Sequence, residues 1–238
     1  MARLLLRGML VGVIAGLLAF GFARVFGEPA IVRSIAVEDA IDKAKGEAPE
    51  PELVGRAVQS SLGLLTGVVV AGTALGGMFS ILFAVGHGRV SRLEPRAFAA
   101  LLALTCFVAV ALVPFLKYPA NPPAVGQPDT IGIRTGLYMS CIAVSIVATL
   151  AAFSLRRLLL PRLGGWNSAL CGALAFVAMI AVAFLAFPAV DEVPEAFPAQ
   201  TLWSFRLASL GIQVILWGTI GLGFGALVDG DADATGAR

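Results

Sequence analysis

Few residues in this sequence are of the types that transform a substrate or hold a metal ion tightly. Among 238 residues there is one histidine, His87, and there are three cysteines, Cys106, Cys141 and Cys171. The G-x-x-x-x-G-K-[ST], G-x-S-x-G and H-E-x-x-H patterns of nucleotide hydrolases, serine hydrolases and zinc proteases do not occur. We therefore expect no enzyme activity, no ATP hydrolysis and no resident cofactor in this chain.

The three cysteines are not predicted to share a metal ion. Counted at about 1.5 Å per residue from the inner ends of their predicted helices, they lie about 14, about 21 and about 8 Å deep. One ion cannot reach all three sulfur atoms with thiolate bonds of about 2.3 Å. We interpret the cysteines as small apolar packing residues. The histidine, in the short "GHGR" turn, is interpreted as a solvated surface residue.

Oxygen-bearing side chains are the remaining candidates for binding a cation. They gather around the stretch "KYPANPPAVGQPDTIGIRT", residues 117–135, in which four prolines restrict the backbone. The candidate ligands are Asp129, Asn121, Glu28, Asp191 and Glu192, supported by Tyr118, Lys117, Thr130, Arg134 and Arg206. Two interpretations stay open. The stretch is either an entrance for a metal ion or a rigid lid whose polar groups only satisfy one another, with Lys117 and Arg134 paired to nearby acids.

Membrane helices must position these side chains. Hydrophobic residues make up 58% of the sequence, charged residues 13%, and the mean hydropathy is +0.91. Because a span needs about 20 apolar residues, the charge-free runs predict an all-α fold with six transmembrane helices in one membrane domain, residues 1–238. The predicted spans are approximately 4–26, 60–86, 97–116, 135–156, 166–187 and 207–228. A cleaved signal peptide is the alternative interpretation of the first run.

Arginines in short loops predict the orientation of these spans. Two short loops on one side of the predicted bundle hold three arginines each: Arg89, Arg92 and Arg96, and Arg156, Arg157 and Arg162. Under the positive-inside rule both loops face the cytosol, so we expect cytosolic N- and C-termini and candidate ligands on the outer face. In the first outer segment, apolar residues at 31, 32, 35, 36, 40 and 41 predict an amphipathic surface helix on the bundle, ending at Gly46.

A weak internal repeat accompanies the spans. Odd-numbered spans exit into "FGEPA", "KYPANPPA" and "FPAV", and Arg56, Arg134 or Arg206 precedes each even-numbered span. This pattern predicts three helical hairpins, Met1 to Arg89, Val90 to Arg162 and Leu163 to Arg238, although proline after a helix end is also ordinary punctuation. Glycines four residues apart predict close helix packing at Gly8, Gly12 and Gly16, at Gly63 and Gly67, at Gly72 and Gly76, and at Gly221 and Gly225.

Taken together, these segments resemble the CbtA family of predicted cobalt transporter subunits. The likeness runs from "FARVFGEP" through "KYPANPPAVGQPDTIGIRTGLY" to "VDEVPEAFPAQTLWSFRLASLGIQVILWGTIGLGFG". The resemblance implies a bacterial inner-membrane protein, linked to cobalt supply for cobalamin, that acts with a small one-span, histidine-bearing partner, CbtB. It carries over no binding residues. Co²⁺ favours imidazole ligands, and this chain has only one, so a partner that supplies histidines fits the composition.

Two classes of function follow from the sequence. The first is a membrane subunit of a transporter for a divalent metal, cobalt by resemblance, that works with the small partner and without ATP hydrolysis in this chain. The second is a non-transporting membrane scaffold or receptor subunit whose glycine faces and outer loops organise a partner protein. The sequence leaves the ion, the direction, the energy source and homo-oligomer formation open.

Overall fold

The computed structural model describes residues 1–46, 54–89 and 93–236, and the side chains within those ranges as far as residue 229. These residues form helices joined by short turns, with no β-strand among them, which confirms the all-α prediction for this part of the chain. The α-helices are α1 Ala2–Phe22, α2 Glu28–Lys45, α3 Arg56–Val58, α4 Leu64–Gly86, α5 Pro95–Cys106, α6 Val113–Lys117, α7 Ile131–Ala186 and α8 Ala199–Gly236.

Wider π-helical turns interrupt three of these helices without ending them. They cover Ala23–Gly27, Gln59–Gly63 and Phe107–Leu112. Pro29 and Pro114 follow the first and third of these turns. Proline has no N–H for the carbonyl four residues back, residue 25 or 110, and its ring crowds that carbonyl, so the helix widens there. The second turn, Gln59–Gly63, has no proline to explain it.

Five helices in the described ranges are long and apolar enough to cross a membrane: Ala2–Lys45, Arg56–Gly86, Pro95–Lys117, Pro128–Ala186 and Ala199–Asp229. Two predicted spans, 135–156 and 166–187, both lie within α7, on either side of Gly164. Gly164 has non-helical torsion angles of φ 72° and ψ 177°. The described helices are therefore compatible with a membrane protein, whereas six crossings remain a prediction.

The two segments of α7 fold back on each other at Gly164. A methyl group on Gly172 would lie 3.0 Å from the carbonyl oxygen of Ala152, and Ala148 shares one apolar cluster with Ile180. Residues 148 and 180 would lie about 48 Å apart in a straight helix. The positive φ of Gly164, which side chains disfavour, therefore makes the reversal.

The chain forms two compact units. Unit 1 comprises residues 1–107, 121–124 and 196–238, and unit 2 comprises residues 108–120 and 125–195. This division cuts across the predicted hairpins, since α5 and α8 belong to unit 1 and α7 belongs to unit 2. The three-hairpin repeat and the single domain over 1–238 remain predictions.

In unit 1 the predicted glycine face of α1 packs tightly against α4. A methyl group on Gly12 would overlap the carbonyl of Gly72, and one on Gly8 would overlap the carbonyl of Gly76. Because the pairs run in opposite directions along the two helices, α1 and α4 are antiparallel. The same prediction fails for Gly67, which has no atom within 4 Å of its Cβ position.

Helix α8 closes unit 1 by packing on both α5 and α1. A methyl group on Gly221 would overlap the Cβ of Ala103, and Arg7 Nη1 donates to the carbonyl of Leu227 at 3.3 Å. Phe79, at 5.4 Å between ring centroids from Phe224, is fully buried between α4 and α8. The start of α1 and the end of α8 therefore lie at the same end of unit 1.

His87 differs from its prediction as a solvated surface residue. It follows α4 at the end of unit 1 where Arg7 lies, and it is only partly exposed. Its ring stacks on Phe83 at 5.0 Å between centroids and lies 5.7 Å from the ring of Phe98. The imidazole therefore extends an aromatic cluster, because its flat ring can cover the neighbouring Phe rings.

The cysteines lie among apolar side chains. Cys106 and Cys141 are buried and Cys171 is partly buried, and all three are free thiols. In unit 2, Cys141 packs with Val113, Ala148 and Ile180, which form the buried core of that unit. These positions match the packing role predicted for the cysteines.

The predicted surface helix exists as α2, but the face that it buries differs from the prediction. It continues α1 through the π-helical turn, and Gly46 ends it as predicted, with φ 76°. The predicted apolar face is not the covered one, because Val32 is 56% exposed whereas Glu28, Ala30 and Ser34 are buried. The physical reason is that α1 fixes the rotation of α2, so small residues and one carboxylate face inward.

Candidate functional site

Three arginines bind side-chain oxygens that lie shortly after the predicted odd-numbered spans. Each of them precedes or begins a helical segment that was predicted as an even-numbered span. Arg56 bonds to Glu28, Arg134 pairs with Glu192, and Arg206 bonds to Asn121. Each acceptor stands one or two residues before a proline, at Pro29, Pro194 and Pro122. The repeat signal in the sequence thus coincides with arginine–acceptor pairs, which we call arginine clasps.

The first clasp buries a carboxylate in unit 1. The Glu28 side chain is 6% exposed, and its Oε2 accepts a short hydrogen bond from Arg56 Nη2. Arg24 Nη1 stands 4.0 Å from the same oxygen, one helical turn earlier in the chain. The Nε of Arg56 is buried and has no partner. A buried carboxylate needs such a counter-ion, so the clasp ties the start of α2 to α3.

The second clasp lies in unit 2 and holds Glu192 against the start of α7. Glu192 Oε2 accepts hydrogen bonds from the backbone N–H of Gln127 at 2.8 Å and from Thr130 Oγ1 at 2.9 Å. Arg134 Nε is 3.5 Å from the same oxygen. These three partners, the Gln127 N–H foremost, lower the pKa of Glu192 below its ordinary value.

Gly126 makes room for the arginine of this clasp. A methyl group at Gly126 would overlap the guanidinium group of Arg134, and the glycine has a φ of 107°. Arg134 Nη2 also donates to the carbonyl of Gln127 at 3.1 Å. The segment 126–134 is therefore fixed by its own polar groups, as expected for a rigid lid.

The third clasp lies in unit 1 and joins a charged arginine to an uncharged amide. Arg206 Nη2 donates to Asn121 Oδ1 at 2.9 Å, across 85 positions of sequence. Both residues are partly buried. The amide oxygen that could bind a cation is thus already an acceptor for an arginine.

Lys117 and Tyr118 bind backbone carbonyls near the end of α7. Lys117 Nζ donates to the carbonyl of Phe184 at 2.7 Å, and the Tyr118 hydroxyl donates to that of Pro188 at 2.9 Å. The prediction that Lys117 pairs with an acid was wrong. The helix-end carbonyl of Phe184, which carries partial negative charge, takes that place.

Asp129 and Asp191 remain as exposed carboxylates in unit 2. Within the described part of the chain, Arg134 pairs with Glu192 rather than with Asp129, although Asp129 is much nearer in sequence. The ten candidate residues do not form one site: Glu28, Asn121 and Arg206 belong to unit 1, and the other seven belong to unit 2.

No group of three or more histidine, cysteine, aspartate or glutamate side chains in residues 1–46, 54–89 and 93–229 is arranged to hold a metal ion. Chemically, the clasps neutralise carboxylates and fix loops. Three residues that hold the acceptors, Arg24, Arg56 and Gln127, were not among the predicted site residues. Arg56 carried a signal, its place before an even-numbered span, whereas Gln127 acts through its backbone and carried none.

Comparison with known proteins places this architecture in a family. A family model described as "Probable cobalt transporter subunit (CbtA)" matches residues 1–229. The chain belongs to the CbtA family. This confirms the resemblance seen in the sequence, and with the five apolar helices it identifies a membrane protein of cobalt transport. The CbtA description as a subunit also implies a partner chain. No curated protein and no solved structure shows significant similarity to the chain.

Proposed function

We propose that this chain is the membrane-embedded subunit through which a bacterial transporter moves Co²⁺ across the inner membrane. It works with a small, one-span, histidine-bearing subunit of the CbtB type, and it neither hydrolyses ATP nor catalyses another reaction. The match of the CbtA family model to residues 1–229 is the observation that carries this proposal.

The donor set of the chain supports a partner that supplies ligands. Co²⁺ prefers imidazole with some carboxylate or water, and the chain contains one histidine, which stacks on Phe83. Of the five candidate ligands, Glu28, Glu192 and Asn121 are held by arginines. The exposed Asp129 and Asp191 are then the carboxylates of this chain that we propose to attract the incoming ion.

The packing of unit 1 supports an even number of crossings. Arg7 of α1 contacts Leu227 of α8, and the backbone of Arg96 lies beside Gly225. The same end of unit 1 thus carries two arginines, His87, the start of α1 and the last described side chains of α8. We propose that this end faces the cytosol, since basic residues gather there, and that the reversal at Gly164 provides the sixth crossing.

Cobalt accumulation in cells tests the proposal. This chain, the small histidine-bearing chain, and both together would be expressed in a strain with low cobalt uptake, and membrane levels of each chain would be measured. We expect uptake to rise only when both are present. Uptake unchanged with both chains present in the membrane would contradict the proposal and favour a scaffold.

An Asp129→Asn variant examines the ion entrance within the same assay. It removes one exposed charge and almost no volume, so we expect lower uptake per molecule with an unchanged melting temperature. Arg206→Lys, which keeps the positive charge in the third clasp, is the control variant. Its melting temperature and uptake show the effect of a substitution that leaves the charge of the outer loops unchanged. Normal uptake in Asp129→Asn, Asn121→Ala and Glu28→Gln alike would leave the loop as architecture.

A further inference from the structure

An open groove runs between α5 and α8 on the surface of unit 1. It has a volume of about 270 Å³, and its lining is almost entirely carbon. It is lined by Ala100 and Leu104 of α5, by Phe107 of the π-helical turn that follows α5, and by Trp217, Gly218 and Leu222 of α8. Residue 218 lies near the middle of the predicted span 207–228, so the groove opens toward the membrane interior rather than toward water.

Among the glycines of α8 up to residue 229, Gly218 is the one that the fold itself does not explain. Gly211, Gly221, Gly223 and Gly225 each have side-chain or backbone atoms within 4 Å of their Cβ positions, contributed by α1 or α5. The Cβ position of Gly218 has no atom within that distance, and the residue is exposed. Glycine weakens a helix by about 1 kcal/mol relative to alanine. Its use in a membrane helix is typical of close approach by another helix.

Trp217 supplies a second and independent indication. The residue is only 6% exposed, it lines the groove, and its Nε1–H is buried without a hydrogen-bond partner. Buried tryptophan N–H groups normally find an acceptor, because an unpaired donor is costly in an apolar medium. A residue that lines the groove therefore carries an unpaired donor, and an acceptor reaches it after a small rearrangement of the ring.

We propose that the α5/α8 groove is the docking site for the transmembrane helix of the partner subunit. The partner's helix places a small-residue face over Gly218, inserts an apolar side chain between Phe107 and Leu222, and offers an oxygen acceptor to Trp217 Nε1. This inference rests on the proposed function, in that it assigns a surface to the partner that a transporter subunit requires.

A helix fits these features better than the other occupants of a membrane groove. A lipid acyl chain can fill an apolar groove but has no acceptor for an N–H donor. The family description calls this chain a subunit, which implies a different partner chain, and a second copy of this chain is an outcome that the test below distinguishes. The contact would follow ridge-into-groove packing, in which a row of side chains on one helix enters the depression beside another.

Photo-crosslinking in membranes tests the location of the partner. A benzophenone amino acid at Leu222, on the groove wall, would be compared with one at Leu185, which is 89% exposed on α7. With the small histidine-bearing chain as the probe, we expect an adduct of the two chains from position 222 and none from position 185. An adduct between two copies of this chain, or no protein adduct from position 222, would overturn the proposal.

Two substitutions test the contacts by co-purification. Gly218→Leu fills the groove floor and should abolish co-purification of the partner, while Gly67→Leu, at an exposed glycine outside the groove, should not. Trp217→Phe removes the N–H donor together with part of the ring volume, and should weaken co-purification by roughly two- to ten-fold. Gly218→Leu should not lower the melting temperature of the chain purified alone, and Trp217→Phe should lower it only slightly, because the smaller ring leaves a small cavity. If Trp217→Phe or Gly218→Leu leaves co-purification unchanged, the groove is not the docking site.

Crosslinking and co-purification measure the association of the two chains and not the transport of cobalt. If the two chains crosslink at the groove but no cobalt accumulates, the interface stands and the transport function fails. If uptake requires both chains but position 222 gives no adduct with the partner, the function stands and this location of the partner is wrong.

Discussion

The three arginine clasps hold their acceptors by different means, and single residues show this difference. Glu192 is held mainly by an N–H and a hydroxyl group, with Arg134 as the more distant partner. Glu28 is held by guanidinium groups in a buried place. Acidification should therefore weaken the hold on Glu192. Neutralising the side chain by substitution should be most costly at Glu28.

The lowered pKa of Glu192 makes the stability of unit 2 depend on pH. A carboxyl group whose folded pKa lies below its unfolded pKa stabilises the fold at pH values above the unfolded pKa. That contribution is lost as the pH falls through the folded pKa. We expect Glu192→Gln to melt at a lower temperature than the wild type at neutral pH, and the difference to shrink below the ordinary value of 4.5.

Thermal unfolding of the detergent-solubilised protein over a pH series measures this difference. Asp129→Asn is the matched control, because it removes an exposed carboxylate nearby in unit 2. A difference between Glu192→Gln and wild type that stays constant or grows on acidification would contradict the assigned hydrogen bonds.

Removal of the buried Glu28 charge should destabilise unit 1. Glu28→Gln leaves the partly buried Arg56 guanidinium without its anion, and we expect a loss of about 1–3 kcal/mol in unfolding free energy. Arg24→Gln, which removes the more distant and half-exposed arginine, should cost less than about 1 kcal/mol. Denaturation of the purified protein compares the two variants. Equal effects would mean that Arg56 is not the principal partner of Glu28.

At the scale of elements, glycine governs both the approach of helices and the reversal of the chain. The α1–α4 contact needs glycine for space, since carbonyl oxygens occupy the positions of missing side chains. Gly164 needs glycine for conformation, since its Cβ position is open but its φ is 72°.

Gly164→Ala should therefore destabilise unit 2 through the backbone alone. The combination of φ 72° and ψ 177° belongs to a region that is almost exclusive to glycine, so we expect a loss of about 1–3 kcal/mol. Gly165→Ala is the adjacent control, with an open Cβ position and no positive φ, and should be neutral or slightly stabilising. Similar melting temperatures for both variants would show that the reversal does not depend on the Gly164 conformation.

Apolar runs predicted the helices well because burial in lipid requires long uncharged segments whatever the neighbours are. The span predicted at 60–86 lies within the observed helix Arg56–Gly86, and the span predicted at 97–116 lies within Pro95–Lys117. The rotation of α2 could not be predicted, because α1 imposes it through a continuous helix. The partner of Arg134 could not be predicted either: Glu192 lies far away in sequence, whereas Asp129 is close, and only the tertiary fold decides between them.

At the scale of the whole molecule, the distribution of basic residues predicts which side of the membrane each loop faces. A variant without Cys106, Cys141 and Cys171 would carry one new cysteine, at Ala196 in one loop or at Leu163 beside the α7 reversal. We expect an impermeant maleimide to label position 196 in intact cells and position 163 only after permeabilisation. Both should react in permeabilised cells, which controls for accessibility. The reverse pattern would contradict the proposed orientation and the outer location of Asp129 and Asp191.

The position of α8 in unit 1 has a consequence for how the protein is made. The ribosome releases α1, α4 and α5 long before α8, yet α8 covers faces of both α1 and α5. Until it arrives, Val11 and Ala103 lack their contacts with α8, and the growing chain offers these surfaces to lipid and to other nascent proteins. Unit 1 is therefore complete only after α8 has been synthesised. A membrane protease that recognises unpaired helix faces would distinguish finished molecules from unfinished ones by whether α8 is seated.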